Sequence, residues 1–205
     1  MEKPFKKLHN HLKEKLTSFE ISVPTEFQKV AIPAIKSGAN LYCTASENSG
    51  KSTTLILTTL HKLKCEEKGD APRAIVLVED NEKAQELYNA FLLYTRHTSL
   101  RVYFGDEKEH IDLLKSEIFE GIDILISTPK IVNKLLLLEG LNTTQVKILS
   151  VDDASFLSQK SPYTDIISIT QSIHKCQFVI YAEKLDATLK RFEANFMEYS
   201  KKISV

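Results

Sequence analysis

Six short apolar runs, rich in β-branched residues, recur along the chain, each followed by a stretch long enough to be a helix. They are LYCTA at 41–45, RAIVLVE at 73–79, LRVYF at 100–104, DILIS at 123–127, VKILSVD at 146–152 and QFVIYA at 177–182. Helical patterns fall at about 27–36, 51–64, 81–96, 108–119, 129–138, 162–173 and 186–199. Strands that are apolar on both faces need cover on both faces, and strands separated by helices run parallel. Right-handed crossovers then produce a doubly wound α/β sandwich, a mostly parallel sheet with helices on each side. Ligands of such sheets bind at the carboxyl ends of the strands. The residues just after each apolar run are therefore where chemistry is expected.

The chain has 205 residues, 42% of them apolar, which suits one large domain with a real core. We expect a single unit, with an N-terminal helical region at 1–40 and a core at 41–205. No run of 18 apolar residues is present, and MEKPFKKLHNHLKEKL is charged rather than signal-like. No membrane role and a monomer are expected. Cys43, Cys65 and Cys176 lack CxxC spacing and read as reduced thiols of a cytoplasmic protein. His9 and His11 flank Asn10 without further ligands at metal spacing, and read as exposed helix residues. Lys and Arg number 27, as do Asp and Glu, so the chain lacks the basic excess of a dedicated nucleic-acid binder. Any nucleic-acid contact must come from local geometry. KCEEKGDAP at 64–72 reads as a surface loop.

Residues 45–53 read ASENSGKST and fit [AG]-x-x-x-x-G-K-[ST], with Ala45, Gly50, Lys51 and Ser52 in the fixed places. Small residues let backbone N–H groups converge on a phosphate, and the following helix turns its positive end to the same anion. Lys51 would reach the β- and γ-phosphates, and the Ser52 hydroxyl would hold Mg²⁺. Ser46, Glu47, Asn48, Ser49 and Thr53 complete the nucleotide-binding stretch. The run before it reads as a buried strand and the run after it as a helix, which is the context the pattern requires. A second signal lies at the end of VKILSVD, where Asp152 and Asp153 follow an apolar strand. A carboxylate there can hold a metal, usually through water, and the next one can orient an attacking water. Aspartates at such places also cap turns and helices. The phosphate loop upstream favours the nucleotide reading.

At this point the chain resembles the first RecA-like domain of the DEAD-box RNA helicases, almost end to end. FEISVPTEFQ at 19–28 is similar to that family's Q motif. The resemblance implies that Phe19 stacks on adenine, that Thr25 belongs to the pocket and that Gln28 reads the edge of the base. Phe27 reads as core. The resemblance implies ATP and Mg²⁺ as cofactors, with Lys51, Asp152 and Asp153 catalytic and with Ser52 and Asp152 on the metal. It implies RNA as a partner, with Gly105, Thr128 and Lys130 as surviving RNA contacts. It also implies a second RecA-like domain, which is not in this chain. The cleft between two such domains assembles the catalytic site, so this domain alone is expected to be nearly inactive.

Departures from the family pattern are as informative. Glu47 and Asn48 stand where the loop has Thr and Gly. Asn tolerates the left-handed backbone region, whereas Glu47 repels phosphate unless it faces solvent or pairs with Lys51. The DEAD tetrad reads Asp152-Asp153-Ala154-Ser155, with the catalytic glutamate one methylene shorter. Ser-Ala-Thr has become Tyr181-Ala182-Glu183, in which Tyr181 keeps one hydroxyl. Glu79-Asp80-Asn81 replaces Pro-Thr-Arg, and acids are unfavourable against a phosphate backbone. Thr128 and Pro129 fit equally well a helix N-cap with proline in the first turn. A scaffold that has lost catalysis is the alternative reading, and another phosphate-loop ATPase a weaker one.

Overall fold

The computed structural model describes all 205 residues, Met1–Val205. Seven strands form one wholly parallel sheet. They are β1 (Leu41–Thr44), β2 (Ala74–Leu77), β3 (Val102–Phe104), β4 (Ile124–Ser127), β5 (Ile148–Val151), β6 (Gln177–Ala182) and β7 (Lys201–Ser204), in the order β3-β4-β2-β5-β6-β1-β7. The helices are α1 (Asn10–Ser18), α2 (Glu26–Lys36), α3 (Lys51–Lys62), α4 (Asn81–Thr95), α5 (Ile111–Glu120), α6 (Pro129–Leu137), α7 (Lys160–Gln171) and α8 (Ala187–Lys190).

The doubly wound architecture follows from strand alternation. Along β2, Ala74 and Val76 face one apolar layer and Ile75 and Leu77 the other. The first layer is closed by α1 to α4, through residues such as Leu12, Ile32, Leu55 and Phe91. The second is closed by α5 to α8, through Leu114, Val132, Ile166 and Leu189. Central strands are buried throughout, which is why each reads as a continuous apolar run.

Two expectations need correction. The stretch 186–199 is not one helix. Asp186 caps α8 by accepting from Leu189 N–H, and a single 3₁₀ turn, Arg191–Ala194, follows. Asn195 then leaves helical geometry with φ −130° and ψ −112°. Apolar residues spaced as on a helix are instead gathered by aromatic packing, with Phe196 5.0 Å from Phe192 and 4.9 Å from Phe178. The chain can then turn back as β7, an edge strand beside β1 that the sequence reading did not anticipate. Only Ile203 of β7 is buried, and its lysines suit an exposed edge. Nor are His9 and His11 simply exposed helix residues. His9 precedes α1 and donates its backbone N–H to His61 Nδ1 at 3.1 Å, while half-buried His11 bonds the Tyr94 carbonyl at 2.8 Å.

At the amino ends of β2, β3 and β4 lies a buried ion pair. Asp123, fully buried, accepts from Arg73 Nη2 at 2.6 Å and from Arg101 Nε at 3.1 Å. It also accepts the backbone N–H of Lys68 and Arg101. One carboxylate thus fixes three strand starts and the loop at 64–72.

Candidate functional site

A cavity of about 550 Å³ opens at the carboxyl ends of β1, β2, β5 and β6. The phosphate loop forms one wall. Gly50 has φ +91° and Asn48 φ +59°, so both turn in the left-handed region, as the loop requires. Gly50 is held closely from outside. A Cβ there would stand 2.7 Å from Gln28 Nε2 and 3.4 Å from Thr25 Oγ1.

That contact comes from α2, whose first turn is a capping box. Thr25 Oγ1 accepts from Gln28 N–H, and Gln28 Oε1 accepts from Thr25 N–H at 3.0 Å. The Thr25 hydroxyl then donates to the Ser49 carbonyl at 2.7 Å, fastening the segment to the loop. Gln28 is only 4% exposed. Phe27 is core, edge-on to Tyr181. The structure does not bring Phe19 to the loop. Its ring meets Tyr94 edge-on at 5.2 Å, in the last turn of α4. Tyr94 lies roughly 16 Å along that helix from Lys83, which does line the cavity.

Lys51 Nζ donates to the carbonyls of Ala45 and Ser46, at 2.6 and 2.7 Å. An ammonium has three donors, so one remains for a phosphate oxygen. Glu47 is exposed, lines the cavity and forms no ion pair with Lys51, whose nitrogen has no carboxylate within 4.0 Å. Across the cavity Ser52 Oγ donates to Asp152, 3.2 Å from Oδ2 and 3.3 Å from Oδ1. Burial, opposed by the Ser52 hydrogen bond and reinforced by Asp153, raises the Asp152 carboxyl above the usual range. Two hard oxygens so placed suit Mg²⁺, which takes one or two protein ligands and fills its octahedron with waters and phosphate oxygens. Asp153 follows with φ +48° and also faces the cavity.

Three residues behave differently from expectation. Tyr181 does not offer its hydroxyl to a neighbouring domain. It shares strand parity with Val179, points into the α1–α4 layer and is fully buried, its oxygen without a partner. Glu183 lines the cavity instead. Thr128 holds the N-cap position of α6 but does not cap it with its side chain. Its hydroxyl donates to Glu107 Oε1 at 2.5 Å, and Lys130 Nζ stands 3.5 Å from Glu107 Oε2. Gly105 lies beside them, its carbonyl accepting from Ser127 Oγ. The three residues expected on RNA are thus brought together at the ends of β3 and β4, with two of them gathered around one carboxylate.

Sequence reasoning missed Lys83 and Glu107, and it placed Glu79 on an RNA face. Glu79 follows β2 into the cavity, and Lys83 lies in the first turn of α4, capped by Asp80. Five carboxylates (Glu47, Glu79, Asp152, Asp153, Glu183) therefore face two ammoniums, Lys51 and Lys83. Such a cavity welcomes a polyphosphate only in company with a divalent cation.

A sequence model described as DEAD/DEAH box helicase matches residues 25–191. An ATP-dependent RNA helicase DBP7 of Meyerozyma guilliermondii is 31% identical over 179 residues, covering 82% of this chain and 23% of its own length. A probable ATP-dependent RNA helicase ddx42 of Dictyostelium discoideum is 26% identical, covering 90% and 19%. The chain thus spans about a fifth to a quarter of these curated relatives. A DEAD box protein of Methanococcus jannaschii superposes with a TM-score of 0.88 at 16% identity, over 96% of this chain and 54% of that one. The last likeness speaks to the fold, which is RecA-like.

Proposed function

The chain belongs to the DEAD/DEAH box helicase family, and on that premise we propose that it binds ATP with Mg²⁺ as the first RecA-like domain of an RNA-remodelling enzyme. The observation that carries the reading is the Ser52–Asp152 contact, which joins the helix after the phosphate loop to the end of β5. In this reading the N–H groups of residues 46–50 and the free donor of Lys51 hold the phosphates. Ser52 and Asp152 would hold Mg²⁺, which would supply positive charge to offset that of the phosphates. Asp153 orients water, and its short side chain makes hydrolysis slow, since a misplacement of about 1 Å can cost 10²-fold. Gln28 has its Oε1 committed to Thr25. The second lone pair of that oxygen and the amide hydrogens remain for the edge of adenine. Lys83 adds a second cation at the phosphates, supported by its place in the cavity wall.

RNA would lie across Gly105, Thr128 and Lys130, and a second domain would complete catalysis. Arginine supplied across such a cleft is worth about 10³–10⁵ in rate. No helix is long and apolar enough to cross a membrane. Three unpaired cysteines support a cytoplasmic setting. The reading is tested by titrating a fluorescent adenine nucleotide with Mg²⁺, beside its guanine analogue and beside Lys51→Ala. Adenine-selective binding that fails in the variant is expected. Absence of binding at millimolar nucleotide would overturn it.

A further inference from the structure

At the opposite end of the sheet α2, α3 and β6 enclose a second cavity, of about 460 Å³. α3 starts at the phosphate loop, and His61 and Lys62 lie in its last turn. The cavity floor includes buried Ile35 and Gln177, and its walls include Lys36, His61, Lys62 and Lys64.

The charges here have one sign. None of Lys7, Lys36, Lys62, Lys64 or Lys147 has a carboxylate within 4.0 Å, the ion pairs of the chain all lying elsewhere. This happens in a chain whose acids and bases balance. The donors are also held in place. Lys36 Nζ bonds the Lys7 carbonyl, and Lys62 Nζ bonds Gln177 Oε1 at 2.7 Å. Each ammonium keeps two further donors. His61 Nδ1 accepts from His9 N–H, so its ring proton resides on Nε2 as another donor. The crowding leaves its mark on ionisation. Burial, with Lys36 and His9 adding to it, brings His61 down to about 4. Burial also lowers Lys36, aided by Lys7, and Lys62, where Cys176 opposes it and Lys147 adds to it. Half-buried cations without a counterion are costly, and an anion among them would relieve both desolvation and repulsion.

We propose that this cavity binds a compact phosphate-bearing anion through Lys36, His61, Lys62 and Lys64. The donors converge over one concave floor of small-molecule size. A nucleic-acid strand would need them spaced along a groove. The site stands at the far end of α3 from the phosphate loop, so the two can be tested separately.

The experiment uses the full chain carrying Lys51→Ala, which weakens the phosphate loop. Inorganic pyrophosphate and ribose 5-phosphate are titrated separately at constant ionic strength by calorimetry, and the His61 ring is followed by proton NMR. We expect pyrophosphate to bind and to move the His61 resonances. Adding Lys36→Gln and Lys62→Gln should weaken it at least tenfold. Lys64→Glu, at an exposed position, should weaken it severalfold and serves if the double change unfolds the chain. Ribose 5-phosphate acting like pyrophosphate assigns the site to phosphomonoesters, and pyrophosphate alone assigns it to inorganic anions. Unmoved His61 resonances, or equal affinity in all variants, overturn the proposal. So does a single-stranded RNA that needs these lysines and is not displaced by pyrophosphate.

Discussion

Replacing Gly50 with alanine tests whether the phosphate loop and the start of α2 behave as one unit. The added methyl would stand 2.7 Å from Gln28 Nε2 and 3.1 Å from the amide carbon. Two costs combine. Holding alanine at φ +91° costs about 1–2 kcal/mol, because Cβ crowds the neighbouring backbone. Displacing the Gln28 amide breaks its bond from Thr25 N–H, worth about 1 kcal/mol. Gly50→Ala should therefore lose about 2–3 kcal/mol in urea denaturation. Gln28→Ala removes the same hydrogen bond and part of a buried side chain, for about 1–2 kcal/mol. In the double variant the clash has gone and the shared bond is lost only once. Its destabilisation should fall short of the sum by about 1 kcal/mol, well beyond the scatter of independent sites. Simple additivity would show that the loop tolerates the methyl without calling on Gln28, and the argument for one unit would fail.

Glu107→Ala should tighten single-stranded RNA binding severalfold in fluorescence anisotropy at low salt, by freeing Thr128 and Lys130 and removing a charge; unchanged affinity would mean these residues do not meet RNA. Chelating Mg²⁺ should weaken nucleotide binding at least about 100-fold, and Glu47→Gln should recover part of that loss, because five carboxylates face two ammoniums. An affinity indifferent to chelator would contradict this electrostatic reading. Asp123→Asn should cost about 3–5 kcal/mol at pH 7, since it leaves Arg73 buried and unpaired. Burial alone would raise the Asp123 carboxyl, but hydrogen bonds from Arg101 and Arg73 lower it below its ordinary value. Its contribution is therefore present above the unfolded value of about 3.9 and lost as pH falls through the lower folded value. Thermal melts of parent and variant should converge in strong acid, and a gap that persists there would refute the assignment.

The sheet was legible because its central strands are buried on both faces, so that strand after strand reads as an apolar run. β7 was not, because an edge strand with lysines and one buried isoleucine carries no such signature. The stretch 186–199 misled because aromatic clustering of Phe178, Phe192 and Phe196 imitates helical spacing along part of its length. Lys51, Ser52 and Asp152 could be found because phosphate chemistry fixes their spacing. Lys83 and Glu107 could not, since Lys83 lies in the polar first turn of α4 and Glu107 in the connection after β3, and no spacing rule ties either to its site. The direction of Tyr181 was readable in principle from strand parity, which sets it on the same face as Val179. Gln28 was visible as a motif residue, but its capping bond and its contact with Gly50 depend on how α2 meets the loop.

The strand order also has a consequence for synthesis. β1 and β2 are made first, yet neither pairs with the other. β1 waits for β6 and β7, and β2 waits for β4 and β5. A nascent chain thus leaves β2 without a partner until β4 has been made, and leaves β1, which leads into the phosphate loop, without one until β6 emerges late in the sequence. Local pairing can begin only with β3 and β4. Folding of this kind is slow and leaves a window for aggregation. The nucleotide pocket, encoded early, is among the last parts to be locked in place.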